Sequence, residues 1–175
     1  MTDNTHMLLT MVRRTIARDI AAARRQVEAY PDDESIWKVV PGITNAGGTL
    51  ALHMAGNIRH FIGAILGNTG YVRDRDAEFA TRGASRAEII NQLDDAANAA
   101  QTTLSRFEIS KLEDTYPLKI NDMDVPTGAY LVHLAVHFGY HLGQMDYHRR
   151  IVTGNGATVN TMALAPVFAE EPMHA

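Results

Sequence analysis

Apolar residues recur at intervals of three and four along four segments of this chain. The first segment extends from Asp3 to about Tyr30, and its apolar residues are Leu8, Val12, Ile16, Ile20, Ala23 and Val27. The second segment extends from about Thr49 to Leu66. Because this spacing places apolar side chains on one face of an α-helix, it predicts a helix over each segment.

Capping and turn residues mark the ends of two further predicted helices. The sequence SRAE at 85–88 has the form of a capping box, in which Ser85 and Glu88 satisfy each other's free backbone donors. It predicts the start of the third helix, which continues to about Phe107. The fourth helix is predicted to begin near Pro126 and to end at the sequence TGNG, whose glycines interrupt the pattern.

The segments between the predicted helices lack this periodicity. Residues 70–84 are a charged run that predicts a solvated, irregular loop, and the sequence TYPLKI at 115–120 predicts a short extended segment. Four amphipathic helices with modest connections indicate an all-α protein built as a four-helix bundle. We expect one domain, with the bundle over residues 1–155 and a C-terminal arm or tail over residues 156–175.

Composition narrows the possible chemistry. The 175-residue chain has 46% hydrophobic residues and a net charge of −4, so no basic surface indicates a nucleic acid or an anionic membrane as partner. No apolar run approaches the ~20 residues of a membrane span. The N-terminus lacks the features of a signal peptide, so we expect a cytoplasmic location. The chain has no cysteine, which excludes disulfides, thiolate ligands and a thiol nucleophile of its own.

The fourth predicted helix is unusually rich in histidine, with four of the chain's eight histidines in residues 133–148. Between Val125 and Tyr147 its only formally charged residue is Asp146, so we expect the helix to be buried on most sides. At ~100° per residue, one stripe of the helix carries Tyr130, His133, His137, His141, Gln144 and His148. A buried imidazole without a partner is costly, so this stripe must face something that compensates its desolvation.

The second predicted helix has a matching stripe, formed by His53, Asn57, His60 and Ala64. His137 and His141 are four residues apart, which places their Cβ atoms ~5–6 Å from each other on one face. That separation suits two imidazoles bound to one metal ion, and His53 is the best candidate for a third ligand. Phe138 stands where the zincin motif has its general-base glutamate, so protease activity by that mechanism is not expected.

Two sequence motifs resemble a known family. The sequence HFGYHLGQ at 137–144 resembles the His-x-x-x-His-x-Gly-Gln signature of the DinB-like superfamily, which includes bacillithiol transferases and mycothiol-dependent enzymes. The sequence LALHMAGNIRHFIGAILG at 50–67 is similar to the second helix of that superfamily, and GYVRDRDAEF after it is similar to one branch. Leu142 is a departure, because many relatives have arginine there, and it weakens the case for an anionic group bound beside the metal.

The resemblance covers about residues 5–155 and implies an up-down-down-up bundle that holds one divalent metal ion. The implied ligands are His53, His137 and His141. Three imidazoles suit zinc or nickel, with iron and copper as further candidates. Relatives commonly pair, and together with the apolar sequence MALAPVF in the tail this predicts a homodimer.

Other polar residues of the two stripes have two open interpretations. Asn57, Tyr130, His133 and Gln144 can orient the ligands or contact a substrate, because a metal-bound imidazole needs a partner for its other nitrogen. Ordinary packing is the alternative for each. His148 lies in the last turns of its helix, so we expect it at the surface.

Three classes of function fit these features. The leading interpretation is a metal-dependent transferase that uses a low-molecular-weight thiol as cosubstrate, because the resemblance favours thiol transfer and a chain without cysteine cannot supply the thiol itself. A metal-dependent hydrolase is the second, although no aspartate or glutamate is visibly placed as its base. The third is a non-catalytic metal-binding protein of a stress response. We expect the partner to be a small-molecule substrate in either enzyme class.

Overall fold

The structure, a computed structural model, describes residues 2–168 and is helical throughout its regular parts. Six α-helices form within this range: α1 (Thr2–Glu28), α2 (Gly47–Ile58), α3 (Arg75–Ala80), α4 (Arg86–Ser105), α5 (Thr127–Thr153) and α6 (Ala165–Phe168). Four of them are long, and they coincide with the four helices predicted from the periodicity. Because residues 2–168 contain no β-strand, the prediction of an all-α protein is confirmed for them.

The core lies between the long helices. Both α1 and α2 pack against α4 and α5, and each of these four helices contributes buried apolar side chains, such as Ile16, Met54, Leu93 and Phe138. Burying one such side chain contributes roughly 1.5–3 kcal/mol. In the described part of the chain, no helix has the length and apolarity that crossing a membrane requires.

The helix ends follow their local sequence. Ser85 and Glu88 form the predicted capping box at the start of α4, and Gly154 ends α5 in the left-handed conformation with a φ of 66°. After the C-terminal end of α2, residues Arg59–Ala64 continue the helix as a π-helical turn. In this turn the Ile65 N–H donates to the His60 carbonyl at 3.0 Å. Such wide turns are rare and frequently lie at functional sites.

Two connecting segments differ from their predictions. Residues 70–84 are not a wholly irregular loop, because α3 forms within them and its first turn is capped by the Asp74 side chain. Residues 115–120 make only isolated bridges, Thr115 with Pro126 and Ile120 with Met123, so no strand forms there. The reason is that no neighbouring segment supplies a continuous row of backbone partners.

The C-terminal arm is held by arginine side chains that donate to its backbone carbonyls. Arg25 donates to the carbonyls of residues 159 and 160, and Arg14 donates to that of Val167, which is buried against α1. The fully buried Arg149 of α5 donates to the carbonyls of residues 155 and 157. The predicted arm of residues 156–175 therefore lies against the helices as far as residue 168, and residues 169–175 fall outside the described range.

Candidate metal centre

The structure brings together the three histidines that the sequence singled out as ligands. His53 comes from the middle of α2, and His137 and His141 lie on successive turns of α5. One ligand atom from each lies within 4.8 Å of the others. The ring centroids of His137 and His141 are 4.5 Å apart, and that of His53 is 5.3 Å and 5.0 Å from them. These three residues form a group that can hold a metal ion.

Hydrogen bonds to the outer ring nitrogens assign the tautomers of two ligands. The Glu78 carboxylate accepts from Nδ1 of His53 at 3.0 Å, and Oε1 of Gln144 accepts from Nδ1 of His141 at 2.7 Å. Each of these imidazoles then has an unprotonated Nε2 with a lone pair for a metal. The Nε2 atoms of His137 and His141 are 3.1 Å apart. Two nitrogens bound to one ion at ~2.0–2.1 Å have a separation of this order.

Burial keeps the α5 ligands neutral, as coordination requires. It lowers the pKa of His137 to about 4, and the neighbouring His141 and His53 add to this effect. Burial also lowers the pKa of His141, although its bond to Gln144 acts in the opposite direction. An imidazole that resists protonation offers its lone pair to a metal ion at lower pH than a free imidazole does. The donor set therefore fits a divalent ion of the kind that imidazole binds.

Glu78 is held in place by a cation and by a glycine. Arg73 donates from Nε and Nη2 to the two carboxylate oxygens, each at 2.7 Å, which is the bidentate geometry of a strong ion pair. Burial raises the pKa of Glu78, but the bonds from Arg73 and His53 outweigh it, so the pKa lies below its usual value. Gly56 lies directly against the carboxylate, and a Cβ at that position would collide with Glu78 Oε1.

The four residues predicted to orient ligands or contact a substrate have different positions. Gln144 contacts a ligand directly through its bond to His141. His133 is exposed, stacks on Tyr130 with ring centroids 5.8 Å apart, and lies 6.1 Å from the ring of His137, outside the ligand group. Tyr130 packs against other aromatic rings in the core. Asn57 is buried, and its Oδ1 has no hydrogen-bond partner among the described residues.

The prediction that His148 lies at the surface is wrong. Only 1% of the residue is exposed, because both ring nitrogens have partners in the core. The Tyr30 hydroxyl donates to Nδ1 at 2.7 Å, and Nε2 donates to the Lys38 carbonyl at 2.8 Å. The glycine at position 47 makes room for this pair, since a Cβ there would meet both Tyr30 and His148. His148 is a structural residue of the core.

Sequence reasoning missed Arg73 and Glu78, which it assigned to a solvated loop. Both are largely buried, with side-chain exposures of 10% and 6%. A signal for them was present, because a metal-bound histidine commonly donates its outer N–H to a carboxylate. A search for that acceptor would have pointed to the acidic residues after α2. The sequence could not identify Glu78 among them, because its approach depends on the fold of α3 and on Gly56.

Three imidazoles without a carboxylate form a ligand set that leaves coordination positions open for a small molecule. Within residues 2–168, no other cluster of histidine and acidic side chains has comparable ligand geometry. With three protein ligands, the group can bind an ion without completing its coordination shell.

A family model described as "Protein of unknown function (DUF1572)" matches residues 3–165, which is nearly the whole chain and includes all three histidines. No curated protein and no solved structure is significantly similar to the chain. The match includes α1 to α5, the residues that hold the candidate ligands and the residues that orient them. The chain therefore belongs to the DUF1572 family.

Proposed function

We propose that the protein is a divalent-metal enzyme that transfers a low-molecular-weight thiol to an electrophilic substrate. The observation that carries this proposal is the convergence of His53, His137 and His141, two of them with the outer nitrogen already bonded to an acceptor. A bound divalent ion would lower the pKa of a coordinated thiol and leave it as a thiolate. Zinc or nickel is the proposed ion, with iron or copper as further candidates.

The residues around the ligands support thiol transfer more than hydrolysis. A hydrolase of this type would gain from a free carboxylate as general base, but Glu78 is occupied by Arg73 and His53. In the proposed reaction the thiol proton passes to solvent. The sulfur forms a bond to the electrophilic carbon, and the leaving group departs with the electron pair of its bond. His53 and His141 are kept in the required tautomer by Glu78 and Gln144.

We also propose the bundle topology and the superfamily relation that the resemblance implies. Residues 19 and 26 of α1 lie beside residues 139 and 149 of α5, which supports parallel directions for these helices. The Arg86 side chain joins the start of α4 to the end of α1, and Gly47 at the start of α2 lies against His148 near the end of α5. These contacts support an up-down-down-up arrangement of the DinB-like kind.

A homodimer is the proposed assembly. The tail segment that predicted association has exposed apolar side chains at Met162, Leu164 and Phe168, each about two-thirds exposed. Exposed apolar groups of this kind favour association when they form one surface. Light scattering on the purified protein at tens of micromolar tests this proposal, and a mass equal to one chain would contradict it.

Elemental analysis followed by a thiol-consumption assay tests the enzymatic proposal. The protein, loaded with zinc or nickel, is incubated with an activated aryl halide and with glutathione, N-acetylcysteine or N-acetylcysteine amide, and loss of free thiol is followed. We expect consumption that depends on the metal and is lost in a His141→Ala variant. Stoichiometric metal without thiol consumption would favour the hydrolase or the non-catalytic metal-binding alternative.

A further inference from the structure

A pocket of about 330 Å³ is lined in part by Gln144, which lies three residues after the candidate ligand His141 on α5. Its walls are the segment 42–45, Leu50 of α2, and Gln144 and Tyr147 of α5. Gln144 contacts both the candidate metal centre and the pocket, because its Oε1 accepts from His141 while its side chain lines the pocket. Gln144 therefore connects the lining of this pocket to one of the candidate ligands.

The loop wall of the pocket is fixed to the core before any ligand binds. Residues 40–43 form a tight turn in which the Ile43 N–H donates to the Val40 carbonyl at 3.0 Å, with Pro41 and Gly42 in the middle. The φ of Gly42 is 83°, which the third position of a type II turn requires. Two residues before this turn, the Lys38 carbonyl accepts from the buried His148. A preformed wall reduces the entropic cost of binding a ligand.

The residues that line the pocket are uncharged, and several of them are polar. None of the lining residues carries a formal charge. Among the described residues, the side chains of Thr44, Asn45 and Tyr147 have no hydrogen-bond partner, and the amide nitrogen of Gln144 is also uncommitted. Ile43 and Leu50 supply apolar surface. Neutral donors and acceptors favour a ligand that carries amide or hydroxyl groups, whereas a carboxylate would find no cation among the lining residues to pair with.

We propose that this pocket binds an uncharged, amide- or hydroxyl-bearing part of the thiol cosubstrate. This inference rests on the proposed function for the identity of the ligand, but the binding chemistry of the pocket can be measured without turnover. Asn45 and Thr44 are the residues that recognise the neutral group, and Gln144 connects the occupied pocket to the His141 ligand. The enzyme is then expected to prefer neutral thiols over anionic ones.

Binding is tested first with a pair of thiol-free molecules that differ only in charge. N-acetylalaninamide and N-acetylalanine are titrated into the zinc-loaded protein, and the backbone amide signals of residues 42, 43, 44 and 45 are followed by NMR. We expect N-acetylalaninamide to shift these signals at tens of millimolar, and N-acetylalanine to shift them much less. Equal shifts from the two molecules, or no shift from either, would overturn the proposal.

Two variants separate recognition from folding. Asn45→Ala removes one neutral hydrogen-bonding group from the pocket and is expected to raise the Kd for N-acetylalaninamide roughly three- to tenfold. Asn91→Ala, at an exposed position of α4, is the matched control and is expected to leave this Kd unchanged. The zinc content of both should equal that of the wild type. An unchanged Kd in a folded, zinc-loaded Asn45→Ala protein would remove Asn45 from the site and overturn the proposal.

The thiol-bearing counterparts connect the pocket to the proposed reaction. The KM for N-acetylcysteine amide is expected to lie below that for N-acetylcysteine, and the Asn45→Ala substitution should reduce the difference. If N-acetylalaninamide binds at residues 42–45 but neither thiol is consumed, the proposed function fails while the ligand class of the pocket is upheld. If both thiols are consumed with equal KM values and no shift appears at residues 42–45, the pocket proposal fails alone.

Discussion

His141 and His148 lie two turns apart on the same stripe of α5, yet their surroundings are opposite. His141 donates from Nδ1 to Gln144, and its Nε2 faces the Nε2 of His137 at 3.1 Å. His148 has a protein partner on each ring nitrogen, the Tyr30 hydroxyl and the Lys38 carbonyl. The inner nitrogen of His141 therefore meets another imidazole of the ligand group, whereas both nitrogens of His148 are satisfied by other groups of the core.

This contrast shows which observation distinguishes a ligand from a packing residue. Helical periodicity places both histidines on one face, so it cannot distinguish a metal ligand from a packing residue. The difference lies in whether the desolvation of the imidazole is compensated by protein groups alone. At His148 it is, through one donor and one acceptor of the core. At His141 the partner of Nε2 is the Nε2 of His137 at 3.1 Å, and this pair of inner nitrogens can share either one proton or one cation.

The largest expected effect is loss of metal from variants of the triad. Replacing His53, His137 or His141 with alanine removes one of three ligands, so most of the bound metal should be lost while the helical content is kept. Elemental analysis and far-UV circular dichroism measure the two quantities. His133→Ala is the control, because His133 is exposed and outside the ligand group, and it should retain its metal. Full occupancy in a His53→Ala protein would exclude that residue from the site.

Replacement of His148 is expected to lower stability without loss of metal. Replacement with alanine leaves a cavity and removes the partners of Tyr30 and Lys38, so the free energy of unfolding should fall by about 2–4 kcal/mol. Urea unfolding in the presence of a chelator measures this change. At low temperature, where the variant is folded, its metal content should match that of the wild type. His6→Ala, at an exposed position, is the control for stability. Loss of metal from a folded His148→Ala protein would contradict the contrast.

Substitution of Glu78 is expected to have a smaller effect on metal binding than substitution of a ligand. Glu78→Gln removes the charge that Arg73 and His53 contact, and loss of such a partner typically lowers metal affinity about 10–100-fold. Competition with a chelator of known affinity gives the change in Kd. Glu113→Gln, at an exposed position, should have no effect. Gly56→Ala is expected to act in the same direction as Glu78→Gln, because it displaces the carboxylate. Wild-type affinity in both variants would show that Glu78 does not support His53.

The smallest expected effect is a pH dependence of stability that belongs to His148. Burial lowers its pKa, and the bond to the Lys38 carbonyl only partly opposes this. The unfolded chain therefore binds a proton near pH 6.5 that the folded chain does not, so this contribution to stability is present above that pH and is lost as the pH falls further. The limiting slope is about 1.4 kcal/mol per pH unit. Unfolding of the chelated protein between pH 7.5 and 5 should show a shallower slope in His148→Gln, and an unchanged slope would contradict this.

The sequence predicted the long helices well because each has a strong local signal. The apolar spacing of α1, the capping box at Ser85 and the glycine after α5 depend on residues within a few positions of one another. The pairing of His53 with His137 and His141 was also within reach, because two polar stripes on otherwise apolar helices have few ways to be buried. In these cases the helical period alone is enough to predict which side chains lie on one face.

The remaining features depend on contacts between distant segments. Nothing near Glu78 in the sequence distinguishes it from Asp74 or Asp76, and only its burial against Gly56 does so. His148 was misjudged for a related reason, since its partners, Tyr30 and Lys38, are more than 100 residues away in the chain. The π-helical turn after α2 likewise has no local signature in the sequence.

The way in which the C-terminal arm is attached has a consequence for how its sequence can change. Arg14, Arg25 and Arg149 donate to main-chain carbonyls of the arm, and every residue type has such a carbonyl. Exchanges of the Ala157 and Val159 side chains should therefore leave these bonds intact, whereas insertion or deletion of one residue would move each carbonyl away from its donor. The length of the arm is therefore under a stronger physical constraint than the side chains at these two positions.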